Sequence, residues 1–128
     1  FNKGANSYGF KELLGIQPVG DIGKLKALIV FGDDMPEALP VVDFLAVIGT
    51  RSTKNTENAD IVLPASTFVE SSGTFAPSAG KLLKVNKVIE PKYGPENWQV
   101  IQMMSTALDE NAHRFSNPAE IYDELTAQ

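Results

Sequence analysis

The 128-residue chain contains no cysteine and one histidine. Within this chain, that composition excludes a cysteine nucleophile, an iron–sulfur cluster held by cysteine and a structural zinc site, because each of these needs such ligands. Long hydrophobic runs are also missing. The apolar stretch Ala27–Phe31 has only the length of a strand, whereas a membrane-spanning helix needs roughly 20 apolar residues. We therefore expect no direct insertion into a membrane.

Basic residues are too few for a nucleic-acid-binding surface. The 11 Lys and Arg residues are outnumbered by 16 Asp and Glu residues, which gives a formal net charge of −5, and nucleic acid requires a basic patch. This acidity is ordinary for a soluble cytoplasmic protein, and the length suffices for one domain with its own core. Because the chain starts with Phe1 and has no signal-peptide pattern, we expect residues 1–128 to be a single domain excised from a longer protein.

Three short apolar runs predict buried strands at residues 26–31, 44–48 and 61–63. Helices are predicted at residues 6–14 and, behind a Ser or Thr cap, at residues 54–58. Near-continuous apolar strands that alternate with turns and helices are typical of a parallel sheet covered on both faces. The predicted fold class is therefore α/β, a three-layer, Rossmann-like, mostly parallel sheet with helices on both faces.

The second half of the chain has a different pattern. Residues 73–75 and 82–89 predict irregular or edge strands. A helix is predicted to open at Gly94-Pro95, with Pro95 at its first helical position. Its apolar stripe is predicted to consist of Trp98, Ile101, Met104 and Leu108. Residues 117–120 read Asn-Pro-Ala-Glu, which resembles a capping box and predicts the start of a last helix.

Two polar turns follow the first two predicted strands, at Gly32-Asp33-Asp34 and at residues 49–53. In an open parallel sheet, ligands bind outside the carboxyl ends of the strands. Glycine allows backbone to approach a ligand, hydroxyls with free N–H groups at a helix start suit phosphate, and an Asp can accept hydrogen bonds from a ribose or a guanine. A plainer interpretation is a solvated turn at Asp33 and Asp34 and a helix cap at Ser52 or Thr53. Spacing alone favours the plainer interpretation.

The remaining polar residues give weaker indications of function than the two polar turns. Adjacent carboxylates, as at Asp33-Asp34 and Asp109-Glu110, need not converge for acid–base catalysis, and we predict no catalytic residue here. Glu70 is predicted to lock its loop by accepting backbone N–H bonds. Four lysines form a modest basic strip that is either a solvated strand face or a contact for a partner or a phosphate: Lys81, Lys84, Lys87 and Lys92.

Several motifs are more specific than these patterns. Residues 59–75 read ADIVLPASTFVESSGTF, GANSYG stands at residues 4–9, and PAEIYDEL stands at residues 118–125. In the same order, these resemble motifs of molybdopterin-dependent oxidoreductases of the formate dehydrogenase type. The large iron–sulfur subunit of NADH-quinone oxidoreductase shares the signature. The resemblance extends over nearly all of the chain.

The resemblance implies an α/β domain beside the active site that cradles one molybdopterin guanine dinucleotide. The catalytic metal ligand and the iron–sulfur cluster lie earlier in such chains, so no catalytic or metal-binding residue is implied here. By motif correspondence, the cofactor-binding residues are Asn6, Ser7, Gly32, Asp33, Asp34 and Thr53. With only part of the site, the isolated chain is expected to bind no cofactor.

The same resemblance implies partners and a location. The partners are the remaining domains of the parent subunit and other subunits of a redox complex. The expected location is cytoplasmic, at most peripheral to a membrane-bound complex.

Some ligand-facing positions depart from the motifs. Ile48-Gly49 stand where the family has Gln-Asp, which removes the Asp expected to read the guanine. Two hypotheses follow. The first is a molybdopterin guanine dinucleotide-binding domain of a formate dehydrogenase-like subunit involved in electron transfer. The alternative is a pterin-free structural or interaction domain of an NADH-quinone oxidoreductase large subunit.

Overall fold

A parallel sheet of three strands forms the first half of the fold. A computed structural model describes Gly15 and residues 25–32, 39–77 and 81–127. The strands, in their order across the sheet, are β1 (Ala27–Phe31), β2 (Phe44–Gly49) and β3 (Ile61–Pro64). All three predicted strands are confirmed as strands. β2 and β3 each extend one residue further than predicted, because Gly49 and Pro64 still lie in register with each other.

The central strand β2 carries the core of this sheet. Leu45 and Val47 form an apolar cluster with Val30 of β1, and Ile48 is fully enclosed. The register sets Val30 beside Val47, so their side chains lie on the same face of the sheet. Burial of each such side chain contributes about 1.5–3 kcal/mol. β2 is the best-buried of the described strands because, among them, it alone has a neighbouring strand on both sides.

The short helix α1 (Lys54–Glu57) connects β2 to β3 and begins behind Thr53. The hydroxyl of Thr53 accepts from the backbone N–H of Thr56 at 3.3 Å, and the hydroxyl of Thr56 accepts from the N–H of Thr53 at 2.8 Å. This reciprocal pair satisfies two of the N–H groups that a helix start leaves without partners. The prediction of a capped helix here is confirmed, with an end one residue earlier.

A small antiparallel hairpin follows, made of β4 (Gly73–Phe75) and β5 (Leu83–Val85). The predicted strand at residues 82–89 is therefore shorter than expected. Beyond β5 the chain bonds to a loop instead, because the N–H groups of Val88 and Ile89 both donate to the carbonyl of Val69, at 2.9 and 3.1 Å.

The helix α2 (Asn97–Leu108) starts later than the sequence predicts. Pro95 is not its first residue; Glu96 holds the capping position, and the side chain of Gln99 accepts from the Glu96 N–H at 2.9 Å. The predicted apolar stripe is partly wrong, since Ile101 and Leu108 are 55% and 86% exposed whereas Val100 is buried. The buried residue of α2 is therefore Val100, which directly precedes Ile101 of the predicted stripe.

The last helix, α3 (Pro118–Thr126), starts as predicted. Asn117 is its cap and accepts from the N–H groups of Ala119 and Glu120 at 2.9 and 3.2 Å. Pro118 occupies the first helical position, where its missing N–H is not needed. Among the described helices, none has the length and apolar character to cross a membrane.

The outer strands are more exposed than predicted. Ile29 and Phe31 of β1 are 48% and 41% exposed, and Ile61, Val62 and Leu63 of β3 are 45%, 49% and 37% exposed. The predictions of buried strands at residues 26–31 and 61–63 are therefore wrong. The physical reason is that β1 and β3 each have one neighbour among the described strands, while the described helices pack elsewhere, α1 on β2 and α3 on β4. The described residues thus form an α/β fold with a small parallel sheet. The predicted helix at residues 6–14 lies outside them.

Candidate functional site

The carboxyl ends of the three parallel strands meet at one edge of the sheet. The N–H of Gly32, which follows β1, donates to the carbonyl of Ile48 at 2.9 Å. The N–H of Ala65, which follows β3, donates to the carbonyl of Gly49 at 2.9 Å. We call this region, which comprises Gly32 and residues 49–57 and 62–65, the carboxyl edge. It is where an open parallel sheet places its ligands.

A shallow cavity that is widely open to solvent lies at the carboxyl edge and has a volume of about 510 Å³. Val62 and Pro64 of β3 form its apolar side. Its polar lining comes from the turn after β2 and from α1, and consists of Gly49, Thr50, Arg51, Ser52, Thr56 and Glu57. Three hydroxyls, one guanidinium and one carboxylate thus surround one space. Hydroxyls and a guanidinium bind phosphate oxygens, and a carboxylate accepts from N–H groups.

Gly32 occupies a backbone conformation that favours glycine. Its φ is +106°, in the region that side chains with a Cβ rarely adopt. A Cβ placed there would meet no atom within 4 Å, so the requirement comes from the backbone angle and not from crowding. The turn after β1 therefore leaves open space above its backbone. A role for Gly32 in cofactor binding stays a prediction.

Thr53 acts as a helix cap. Its hydroxyl accepts from the Thr56 N–H, and Thr53 is not among the residues that line the cavity. The plainer of the two sequence interpretations thus describes its contacts, and a cofactor contact by Thr53 stays a prediction. The other predicted cofactor-binding residues, Asn6, Ser7, Asp33 and Asp34, lie outside the described residues.

Glu57 is the lining residue that sequence reasoning missed. It is the last residue of α1 and the one carboxylate in the described lining of the cavity. No hydrogen-bond or ion-pair partner for this carboxylate occurs within the part of the chain that the structure describes. Glu57 stands eight positions after Gly49 in the sequence, and only the turn of α1 brings both to one cavity. An acidic residue in the short helix predicted after the turn at residues 49–53 was the available signal.

The segment at residues 64–75, which runs from the last residue of β3 through β4 and which we call the signature loop, is held partly by its own polar groups. One carboxylate oxygen of Glu70 accepts from the N–H and the hydroxyl of Thr67 at 2.9 and 2.7 Å, and the other accepts from the N–H of Lys92 at 3.1 Å. These bonds, first those from Thr67, lower the pKa of Glu70. The prediction that Glu70 locks its loop is confirmed.

The start of α2 fixes the other end of the signature loop. The side chain of Asn97 accepts from the Ser66 N–H at 2.7 Å and donates to the Ser66 carbonyl at 2.9 Å. Glu96 accepts from the N–H and the hydroxyl of Ser72, both at 2.9 Å, and pairs with the Lys87 ammonium at 3.0 Å. Two side chains of one helix start therefore set the path of the loop.

The charge of Glu96 is stabilised by groups within the protein. Burial acts to raise the pKa of Glu96, but the hydrogen bonds from Ser72 and Lys87 outweigh burial and leave that pKa lowered. Lys87 also pairs with Glu90 at 2.7 Å, and its bonds to Glu90 and Glu96 raise the pKa of the lysine. Glu96 is therefore a charged group at neutral pH with its acceptor capacity satisfied, which is a structural role.

The described part of the chain contains no cluster of possible metal ligands. Across residues 25–32, 39–77 and 81–127, no three His, Cys, Asp or Glu side chains come together to hold a metal ion.

Comparisons with known proteins agree with the motifs. The sequence model of the molybdopterin oxidoreductase family matches residues 4–107. A Staphylococcus haemolyticus protein named as a formate dehydrogenase is 29% identical over 114 residues, which are 80% of this chain and 12% of that protein. A Bacillus subtilis protein named as an oxidoreductase is 30% identical over 113 residues, 80% of this chain and 11% of that protein. Formate dehydrogenase H of Escherichia coli is 26% identical over 114 residues, 80% of this chain and 16% of that protein. The chain thus spans a small part of the length of these relatives.

Proposed function

Because the chain belongs to the molybdopterin oxidoreductase family, we propose that it is a cofactor-domain segment of a formate dehydrogenase-like oxidoreductase. In this proposal the carboxyl edge binds the guanine nucleotide end of a molybdopterin guanine dinucleotide. The parent protein oxidises formate or another small substrate, and formate oxidation to carbon dioxide releases a proton and two electrons for an acceptor. When bound, the cofactor supplies the metal centre for that chemistry. This chain contributes binding and orientation.

The carboxyl-edge cavity is the observation that carries the proposal. Its size of about 510 Å³ is within the range of small-molecule sites, about 300–1,000 Å³. The hydroxyls of Thr50 and Ser52 and the Arg51 guanidinium, which line it, match phosphate oxygens in chemistry. Gly49, which also lines the cavity, leaves the backbone open to a ligand. The donor set therefore fits the nucleotide end of this cofactor.

Glu57 gives the site a group for recognising the base. The resemblance places an Asp directly after the second strand, where this chain has Gly49. The Glu57 carboxylate lines the same cavity as Gly49 but comes from α1. A carboxylate can accept both from the ring N–H and from the amino group of guanine. We assign Glu57 the guanine-reading role in place of the missing Asp.

The exposed apolar strands support a place inside a larger protein. Ile29 and Phe31 of β1 and Ile61 and Leu63 of β3 are 37–48% exposed, and the register puts all four on one face of the sheet. Apolar surface of this kind is usually covered by other protein. In the proposed parent, the remaining domains cover this face and complete the three-layer, Rossmann-like arrangement.

Cofactor content of the parent protein tests the general proposal. The full-length protein is purified after expression with molybdate or tungstate, and the metal is measured by mass spectrometry. Acid hydrolysis should release GMP in stoichiometric amount, because the cofactor carries a guanine nucleotide. A folded parent protein free of metal and pterin would refute the proposal.

That negative result would favour the alternative, a pterin-free structural domain of an NADH-quinone oxidoreductase large subunit. One observation supports the alternative. Ile48 is fully buried and Gly49 has no side chain, so the end of β2 offers no side chain that could read a guanine. The two functions therefore differ in whether Glu57 replaces the missing acid.

A titration of the 128-residue chain tests the site itself. GMP and IMP are added at millimolar concentration and amide shifts are followed by NMR; only GMP has the 2-amino group. Weak binding is expected for part of a site, with shifts confined to residues 49–57 and GMP bound about threefold tighter than IMP. Glu57→Gln should abolish the preference, and Glu110→Gln, which is remote in sequence and exposed, should keep it. Equal binding of GMP and IMP by the unmodified chain would contradict the role of Glu57.

A further inference from the structure

We propose that a second cavity, between the β4–β5 hairpin and the start of α3, binds a small organic anion, a carboxylate or phosphate ester with an apolar group. The cavity has a volume of about 490 Å³, which is within the range of ligand pockets. It has no lining residue in common with the carboxyl-edge cavity. The inference therefore goes beyond the proposed function and stands independently of it.

The charge of the lining points to an anion. Lys84 is the one charged residue among the described residues that line this cavity. Its ammonium has no carboxylate partner in the described part of the chain, whereas the nearby Lys87 pairs with both Glu90 and Glu96. An ammonium beside a concave surface attracts an anion more strongly than one on open surface, because the low-dielectric walls concentrate its field.

Uncommitted hydrogen-bonding groups surround the same space. The register sets Thr74 of β4 directly opposite Lys84 of β5, so both side chains lie on one face of the hairpin. Asn86 and Tyr122 complete this part of the lining. Within the described residues, the side chains of Thr74, Asn86 and Tyr122 have no hydrogen-bond partner. Together they offer donors to an anion held by Lys84.

Other polar groups at the cavity are already engaged in hydrogen bonds within the protein. Ser72 donates to Glu96, and Asn117 caps α3. Glu120 accepts from Ser116 and Asn117 at the start of α3 and is not part of the lining. The side chains of Leu82 and Val85 supply apolar surface. The ligand that matches this lining has an anionic end and an apolar end.

Binding of three related probes to the 128-residue chain tests the proposal. Benzoate and phenyl phosphate are anions with an apolar ring, and benzyl alcohol is their neutral counterpart. NMR titrations should show both anions binding about fivefold tighter than the alcohol, with amide shifts at residues 84–86 and 122. Added salt should weaken the binding of both anions. Comparison of benzoate with phenyl phosphate shows whether the cavity prefers a singly or a doubly charged anion.

Matched variants separate the cavity from general surface charge. Lys84→Gln should remove the preference for anions, whereas Lys81→Gln, an exposed lysine outside the lining, should retain it. Far-UV circular dichroism checks that both variants are folded; if Lys84→Gln is not folded, Tyr122→Phe is used and should weaken anion binding about twofold. The proposal is overturned if the unmodified chain binds no probe in the millimolar range or binds all three equally. The proposal is also overturned if Lys81→Gln loses as much of the preference for anions as Lys84→Gln does.

Discussion

In the signature loop, the side chains of Glu70 and Ser72 are hydrogen-bonded within the protein, as is that of Glu96, which holds the loop from α2. At the carboxyl edge, the side chains of Ser52 and Glu57 have no hydrogen-bond partner among the described residues, although both line a cavity. The two regions adjoin, since Pro64 belongs to both. They differ in that Glu70 and Ser72 bond to other groups of the protein, whereas Ser52 and Glu57 face open space.

This difference separates architecture from binding. Groups that satisfy one another stabilise a path of the chain, and removing one leaves a buried partner unsatisfied. The side chains of Ser52 and Glu57, which face a cavity and have no partner among the described residues, contribute little to folding and remain available to a ligand. The most specific motif of the sequence therefore marks the fold, while the proposed function depends on the less specific turn after β2 and on α1.

The largest effect is expected from Glu96→Ala. This change leaves the N–H and hydroxyl of Ser72 and the ammonium of Lys87 without the acceptor they share, at a position that is 9% exposed. The free energy of unfolding should fall by about 2 kcal/mol, measured by urea denaturation. The matched control is Glu90→Ala, which removes the exposed partner of Lys87 and should leave stability unchanged. Equal effects of the two changes would mean that the signature loop is not held by Glu96.

A smaller effect is expected from acid, because acid removes the charge of Glu96 but leaves its side chain in place. The pKa of Glu96 is lowered in the folded protein, so its stabilising contribution is complete above the unfolded value, about 4.3. The contribution is lost as the pH falls through the lowered pKa of the folded state. Unfolding free energies measured at several pH values between neutral and strongly acidic should therefore fall less steeply for Glu96→Gln than for the unmodified chain. Parallel pH profiles would contradict this prediction.

A local effect is expected from Thr53→Ala at the carboxyl edge. The change removes the acceptor for the Thr56 N–H and should cost about 1 kcal/mol, as for other helix caps. Thr53→Ser keeps the hydroxyl and is the matched control. Because Thr53 does not line the cavity, its loss should loosen α1 more than it changes the signature loop. Hydrogen exchange at residues 54–57 measures the effect on α1, and exchange at residues 66–72 measures the effect on the signature loop.

Local signals explain which parts of the fold could be predicted from the sequence. β1 and β2 are continuous apolar runs between turn residues, and the caps Thr53 and Asn117 act within three positions of their own place in the chain. Such features depend on neighbours in sequence. The described residues do not test the predicted three-layer arrangement with helices on both faces of the sheet.

Tertiary contacts explain what the sequence did not predict. Pro95 suits a first helical position, but Glu96 bonds to Ser72 across 24 residues, and α2 begins only after it. The exposure of β3 depends on which elements pack over it. The apolar sequence of β3 does not determine those elements. In the candidate site, Glu57 is brought beside Gly49 by the turn of α1, and no motif contains both.

The smallest effect on stability, and the sharpest division between the two regions, is expected from Glu57→Gln. The carboxylate of Glu57 holds no other described group, so its loss leaves no donor unsatisfied, and the free energy of unfolding should change by less than about 0.5 kcal/mol. Glu70→Gln is the matched change in the signature loop, where the carboxylate accepts from Thr67 and Lys92. Urea denaturation should show a greater loss for Glu70→Gln than for Glu57→Gln. If Glu57→Gln were the more destabilising of the two, Glu57 would be part of the architecture, and the proposed reading of guanine would lose its basis.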